Sequence, residues 1–279
     1  MGFKIVADSS CELKEEFLSK YEVEFIPFGL QVGEYFTYDD ENFNQLELLD
    51  KIAKSEECAK SSCPSPERFM EAYNCDAQRI YVITISANLS GCFNSANLGK
   101  DLYVEKYGDK KICLINSRSA SCGQAQIAML IAKLEDEGTP YDEIVKKVEE
   151  YRDEMKTYFV LNNLDTLRKN GRLKGIKSVV ASTLNIKPVM SADDEGNIIQ
   201  LGQAIGIKKA LNKMIDTLIS QNENIDKKRL MISHCNCLER AEYVAETFMK
   251  KATFREVVII NTNGLSSLYA NDGGIIVTI

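Results

Sequence analysis

The chain has 279 residues, 44% of them hydrophobic, and a formal charge of −7 from 34 Lys and Arg against 41 Asp and Glu. That length suits one large domain or two ordinary ones with sizeable cores. The acidic balance argues against non-specific nucleic-acid binding and against docking on anionic lipid through a basic patch.

No apolar run approaches the roughly 18 residues of a membrane span. Met1 to Phe3 lead straight into a strand-like segment with no basic and apolar leader. The expectation is a cytoplasmic protein without stable membrane insertion. The nine cysteines are odd in number and irregularly spaced, which suits reduced, semi-buried residues acting as small apolar side chains rather than a disulfide framework.

Three strand–turn–helix units open the chain: "FKIVADSS" into "CELKEEFLSKY", "RIYVITISANLSG" into "CFNSANLGKDLYVEKYG", and "KKICLINSRSASCG" into "QAQIAMLIAKLEDEG". Each strand is β-branched and apolar at consecutive positions, as a strand buried on both faces requires. Between the first two units, "EFIPFGLQVGEYFTYDD" predicts short strands or a hairpin and "NQLELLDKIAKSEE" a helix. Ser65 and Pro66 suit the cap and first residue of another helix. "YDEIVKKVEEYRDEMK" predicts an amphipathic helix that bridges to a second domain. Beyond it, strands around the turn Asp193 to Gly196 predict a hairpin, followed by mixed helices and strands. The fold class is α/β: an N-terminal parallel-sheet, Rossmann-like βα domain over residues 1–155 and a C-terminal α+β domain over residues 156–279.

Ligands of parallel sheets gather at the carboxyl ends of the strands. Here that edge carries Asp8, Ser9 and Ser10, then Ser86 to Gly91, then Ser117 to Gly123. Serine also caps helices, and capping is the first reading for Ser9, Ser117 and Ser121. Ser90 differs, because Gly91 follows it and lets a ligand approach the backbone. A hydrolase elbow is not the reason, since Asn88 and Cys92 stand where that motif needs glycines. The spacing from Gly91 to Gly99, with Asp101 after Lys100, fits no phosphate loop, and no dinucleotide fingerprint follows any strand. His234, Cys235 and Cys237 stand together at a strand end but lack a second cluster to complete a metal site, so no metal is expected. A strand-end histidine that caps or orients a neighbour is the preferred reading. "LRKNGRLKG" predicts a helix ending at Gly171, with Arg172 either solvated or facing an anion.

Several of these motifs, in order, resemble the DegV family of bacterial fatty-acid-binding proteins. "VADSSCEL" is similar to the family's opening turn, "KSSCPSPERF" to its Thr-Ser-Gln-Pro-Ser segment, and "ISANLSGCFNSA" to Leu-Ser-Gly-Thr-Tyr-Gln-Ser-Ala. "LDTLRKNGRLKG" and "TLNIKPVMSADDEGNI" resemble the Gly-Gly-Arg and Leu-Asn-Ile-Lys-Pro segments. The resemblance implies a long-chain fatty acid in a tunnel between the two domains, its carboxylate held at Ser61, Ser90 and Gly91. It also implies a carrier for phospholipid metabolism that presents the acid to a separate fatty acid kinase for acyl-phosphate formation. No cofactor is implied beyond the fatty acid, and no catalytic residue. The family's usual histidine near the C-terminus is replaced by Ala270, so Tyr269 or Asn271, with Arg172, are the additional candidate ligands. The apolar helix "QIAMLIAKL" and the Met190 region are candidate tunnel linings or ordinary core. Two rival readings are a small-anion protein that binds a phosphorylated metabolite and an acyl or phosphoryl transferase using Ser90 and His234.

Overall fold

The computed structural model describes residues 2–173 and 185–279. The end of "LRKNGRLKG" and the first two residues of "TLNIKPVM" lie outside the described residues. In chain order the first half forms β1 (Phe3–Asp8), α1 (Glu15–Leu18), β2 (Val23–Ile26), β3 (Gly29–Val32), β4 (Tyr35–Tyr38), α2 (Gln45–Lys54) and β5 (Lys60–Ser62). It continues with α3 (Pro66–Tyr73), β6 (Arg79–Thr84), α4 (Cys92–Tyr107), β7 (Lys111–Asn116), α5 (Cys122–Asp136) and α6 (Tyr141–Glu154). The second half forms β8 (Thr157–Val160), α7 (Asp165–Lys169), β9 (Ile186–Ala192), β10 (Ile198–Ile205) and α8 (Ile207–Gln221). Then follow β11 (Arg229–His234), α9 (Leu238–Lys251), β12 (Glu256–Asn261), α10 (Gly264–Ala270) and β13 (Ile275–Thr278).

The apolar runs read from the sequence become a four-stranded parallel sheet, order β2-β1-β6-β7. Successive side chains point to opposite faces, so Ile5, Tyr81 and Ile83 pack under α5 and α6 while Val6, Ile80 and Val82 pack under α3 and α4. That two-sided burial is why the strands show no alternation. The helix expected after β1 shrinks to α1, four residues long. The predicted hairpin is β3–β4, and β5 extends it to a separate three-stranded antiparallel sheet. Ser65 does cap α3, accepting from the Arg68 amide at 3.4 Å, with Pro66 as its first residue.

The C-terminal domain is a six-stranded mixed sheet, order β10-β9-β8-β13-β11-β12, in which β11–β12 is parallel and the other pairs antiparallel. Helices α8 and α9 cover one face. The other face meets α5, which packs on β11 and β13 as well as on β6. Because α5 is enclosed on both sides, its apolar residues are core and not tunnel wall. Met190 is likewise fully buried core. The sequence pattern predicts no helix where α10 forms. Although it lies between β12 and β13, its Leu265 and Leu268 complete the core around Val6, Phe28 and Leu30 of the first domain.

Three acids are buried where the domains meet. Asp8 accepts from the Ile85 amide at 2.6 Å, the Ser10 amide at 3.1 Å and Gln124 Nε2 at 3.1 Å. Asp39 accepts from the Gly264 and Leu265 amides. Glu12 accepts from Ser121 Oγ and from the Asn263 amide, which joins the first domain to the entry of α10. Burial pushes the Glu12 carboxyl from 4.5 up to about 8, against the hydrogen bonds it accepts. A raised acid stabilises the fold fully below its unfolded pKa and loses that stabilisation as pH rises through its folded pKa. Glu12→Gln, which mimics the protonated acid, should therefore match wild type in denaturant titrations near pH 4.5 and exceed it progressively up to about pH 8. A stability difference that stays flat across that window would contradict the assignment.

Candidate functional site

Between the carboxyl edge of the parallel sheet and the face of β8 and β13 lies a cavity of about 850 Å³, its open mouth included. Phe28, Ile85, Leu89 and Ala120 line it from the first domain; Phe159, Leu161, Leu167, Ile198, Leu265 and Ile276 line it from the second. The wall is thus mostly aliphatic and aromatic, and both domains are needed to close it.

Hydroxyls gather at one part of the wall. Ser61 sits in β5, and its Oγ lies 3.0 Å from the Tyr269 Oη on α10. Ser90 stands just before α4, where its Oγ accepts from the Cys92 amide at 3.2 Å. It therefore serves the helix start while its own proton stays available to a ligand. Arg172 joins the two. Its Nε donates to the Leu89 carbonyl at 3.2 Å, and its guanidinium carbon lies 5.7 Å from the Tyr269 ring centroid. Gly171, at φ +73°, ends α7 with the Gly171 amide on the Arg168 carbonyl and the Arg172 amide on the Leu167 carbonyl. This paired closure turns Arg172 back over the cavity. The C-cap forms as the sequence suggests, and the arginine that follows it lines the cavity.

Four of the sequence candidates, Ser61, Ser90, Arg172 and Tyr269, line this single cavity. Two do not. Gly91 is the N-cap of α4, outside the lining, at an ordinary φ of −71°. Asn271 also stands outside it and donates to Thr166 Oγ1 at 3.3 Å. Ala270, in place of the family's histidine, is buried in the wall.

The hydroxyls of Ser9, Ser117 and Ser121 do not cap helices. Ser9 accepts from the Phe28 amide at 3.1 Å, and Ser117 closes its own turn on Ser119. Ser121 holds the N-cap position of α5, yet its hydroxyl goes to Glu12. Arg118 and Ser121 both take positive φ in this corner, 52° and 60°. Such backbone is held only where the surroundings dictate it. There Ser119 Oγ lies 2.6 Å from Thr157 Oγ1, a pair that lines the cavity and that sequence patterning did not single out. The hairpin tip between β9 and β10 closes over this corner, with Ser86 Oγ on the Gly196 carbonyl at 2.9 Å and Asn88 Nδ2 on the Glu195 carbonyl at 2.9 Å. A Cβ on Gly196 would lie 2.4 Å from Ser86 Oγ, so only glycine fits.

His234 is absent from the cavity lining; its Nδ1 accepts from the Cys237 amide at 3.2 Å, and burial lowers its pKa. It orients the turn after β11, and the geometry does not pair it with Ser90. Among the described residues no group of three His, Cys, Asp or Glu side chains could hold a metal ion.

Residues 2–277 match the family model described as "Uncharacterised protein, DegV family". A DegV domain-containing protein of Streptococcus pneumoniae is 32% identical over 285 residues, covering 99% of this chain and 98% of its own. Among solved structures, a DegV family protein of Ruminococcus gnavus refined with vaccenic acid superposes with a TM-score of 0.97 at 50% identity, covering 100% of both chains. The Streptococcus pneumoniae Fatty Acid Kinase (Fak) B3 protein loaded with linoleic acid superposes with a TM-score of 0.90 at 30% identity, covering 100% of this chain and 99% of its own. In sequence and in fold, the chain belongs to the DegV family.

Proposed function

We propose that this protein encloses one long-chain fatty acid in the interdomain cavity and carries it to a separate fatty acid kinase, which forms the acyl-phosphate. The observation that carries the reading is an apolar cavity whose wall holds the paired Ser61 and Tyr269 hydroxyls and the hydroxyl of Ser90. The relatives refined with vaccenic and linoleic acids support it. Three hydroxyl donors satisfy a carboxylate without a buried lysine, and Arg172 adds positive charge beside them. Burying about 16 methylenes at roughly 0.8 kcal/mol each contributes a gross ~13 kcal/mol, against ~1.5–3 kcal/mol for each hydrogen bond to the charged group. The tail sets affinity and the hydroxyls set orientation. The protein itself performs no chemistry on the acid, and it works in the cytoplasm, with the two domains meeting near residue 155. Among the described residues no helix is long and apolar enough to cross a membrane.

Mass spectrometry of an organic extract of the protein purified from a bacterial host should show fatty acid at close to one per chain. An extract without acyl species would count heavily against the reading. Stabilisation by phosphorylated metabolites and not by fatty acids would replace it with the small-anion alternative. Ser90→Ala and Tyr269→Phe should each weaken fatty-acid binding by about 5- to 30-fold, with both variants folded and the ligand-free melting temperature of Ser90→Ala lowered by only a few degrees through loss of its bond to the Cys92 amide. Wild-type affinity in both variants would remove these residues from the head-group site.

A further inference from the structure

We propose that Asp39 is a positioning residue for carboxylate recognition: by anchoring the first turn of α10 it sets the separation of Ser61 and Tyr269. The proposal rests on the fatty-acid reading above. The two hydroxyls lie 208 positions apart in the chain and share no element, yet their oxygens are 3.0 Å from one another. Something must hold β5 and α10 in register.

The connection runs through a stiff ladder and one side chain. Ser61 is paired with Leu30, and Leu30 with Thr37, across the small antiparallel sheet. Asp39 directly follows β4, its own amide fixed on the Phe28 carbonyl at 2.9 Å. The residue is 5% exposed, and its two carboxylate oxygens accept separately, Oδ1 from the Gly264 amide at 2.6 Å and Oδ2 from the Leu265 amide at 2.7 Å. Two charge-assisted bonds to adjacent amides fix both the place and the direction of a helix start. Tyr269 follows five residues on, roughly 7.5 Å along a rigid helix. Gly264 is required for this approach, because a Cβ there would stand 2.5 Å from Asp39 Oδ1 and 2.6 Å from Leu30 Cδ1. Gln45 holds the same helix from α2, donating to the Thr262 carbonyl and Ser267 Oγ, each at 2.9 Å. Loss of the Asp39 contact therefore shifts α10 and does not free it.

A purely structural role would weaken every ligand alike, whereas a positioning role weakens only what the paired hydroxyls grip. The test is the ratio of affinities for hexadecanoic acid and 1-hexadecanol, measured on the delipidated full chain. Wild type should prefer the acid. Asp39→Asn, which removes one of the two acceptors, should bind the acid at least about tenfold more weakly while its affinity for the alcohol stays within about threefold. Gly264→Ala pushes the same contact apart from the helix side and should lower the ratio too, which keeps the test intact if Asp39→Asn does not fold. An unchanged ratio in the folded variants, or equal losses for both ligands, would overturn the role of Asp39. Wild type that binds neither ligand would instead overturn the fatty-acid reading on which it rests.

Discussion

Two amides at the start of α10 end on the buried carboxylate of Asp39, and the cavity takes its shape from where that helix lies. Leu265 and Leu268 on its inner side complete the first domain's core, while Leu265, Ser266, Tyr269 and Ala270 contribute to the cavity wall. Glu12 grips the residue just before the helix through the Asn263 amide, so a second buried acid works toward the same end. The domains are thus interlocked: a segment of the C-terminal domain is a structural member of the N-terminal one. An interdomain site built this way does not depend on a flat contact between two finished surfaces.

The cavity stays open because the groups that could fill it are engaged elsewhere. The corner serines are turned toward main-chain amides or buried acids, and the hairpin tip at Gly196 is held by Ser86 and Asn88 just above the wall. What remains facing inward is mostly hydrocarbon, with few polar atoms left to demand water. The paired hydroxyls of Ser61 and Tyr269 and of Ser119 and Thr157 interrupt that hydrocarbon and offer a polar end of a guest somewhere to bind.

Much of the first domain was legible because parallel strands buried on both faces leave continuous apolar runs, as in "IVA" and "IYVIT", and their helices follow at once. Ser90 was legible as a hydroxyl at a strand-to-helix corner, whereas Ser61 was reached only through family resemblance. Strand β5 has three polar residues and is defined by main-chain pairing alone, which no periodicity reports. Helix α10 is seven uncharged residues whose inward side is chosen by a core far away in sequence. Asp39 looks like one more acid in a polar turn until Gly264, 225 positions on, brings two amides to it. Thr157 and Phe159 carry no signal for a different reason: residues facing a cavity and residues facing a packed core are the same types, and only the void tells them apart. Gly91 and Asn271 show the converse, being adjacent in sequence to lining residues while standing outside the wall.

The placement of α10 also bears on how the chain reaches its native state. A ribosome delivers the parallel sheet, its four strands and most of its covering helices long before residues 264–270 emerge. Until then the apolar pocket around Val6, Phe28 and Leu30 lacks the leucines that close it, and Asp39 lacks the amides that satisfy it. The first domain is therefore obliged to wait in an incomplete form, with exposed hydrocarbon and with Asp39 hydrated in place of its amide partners, for a partner supplied by its own chain. Domains that mature one after another during synthesis escape that interval. Here, final assembly of the first domain and formation of the binding cavity are the same late event.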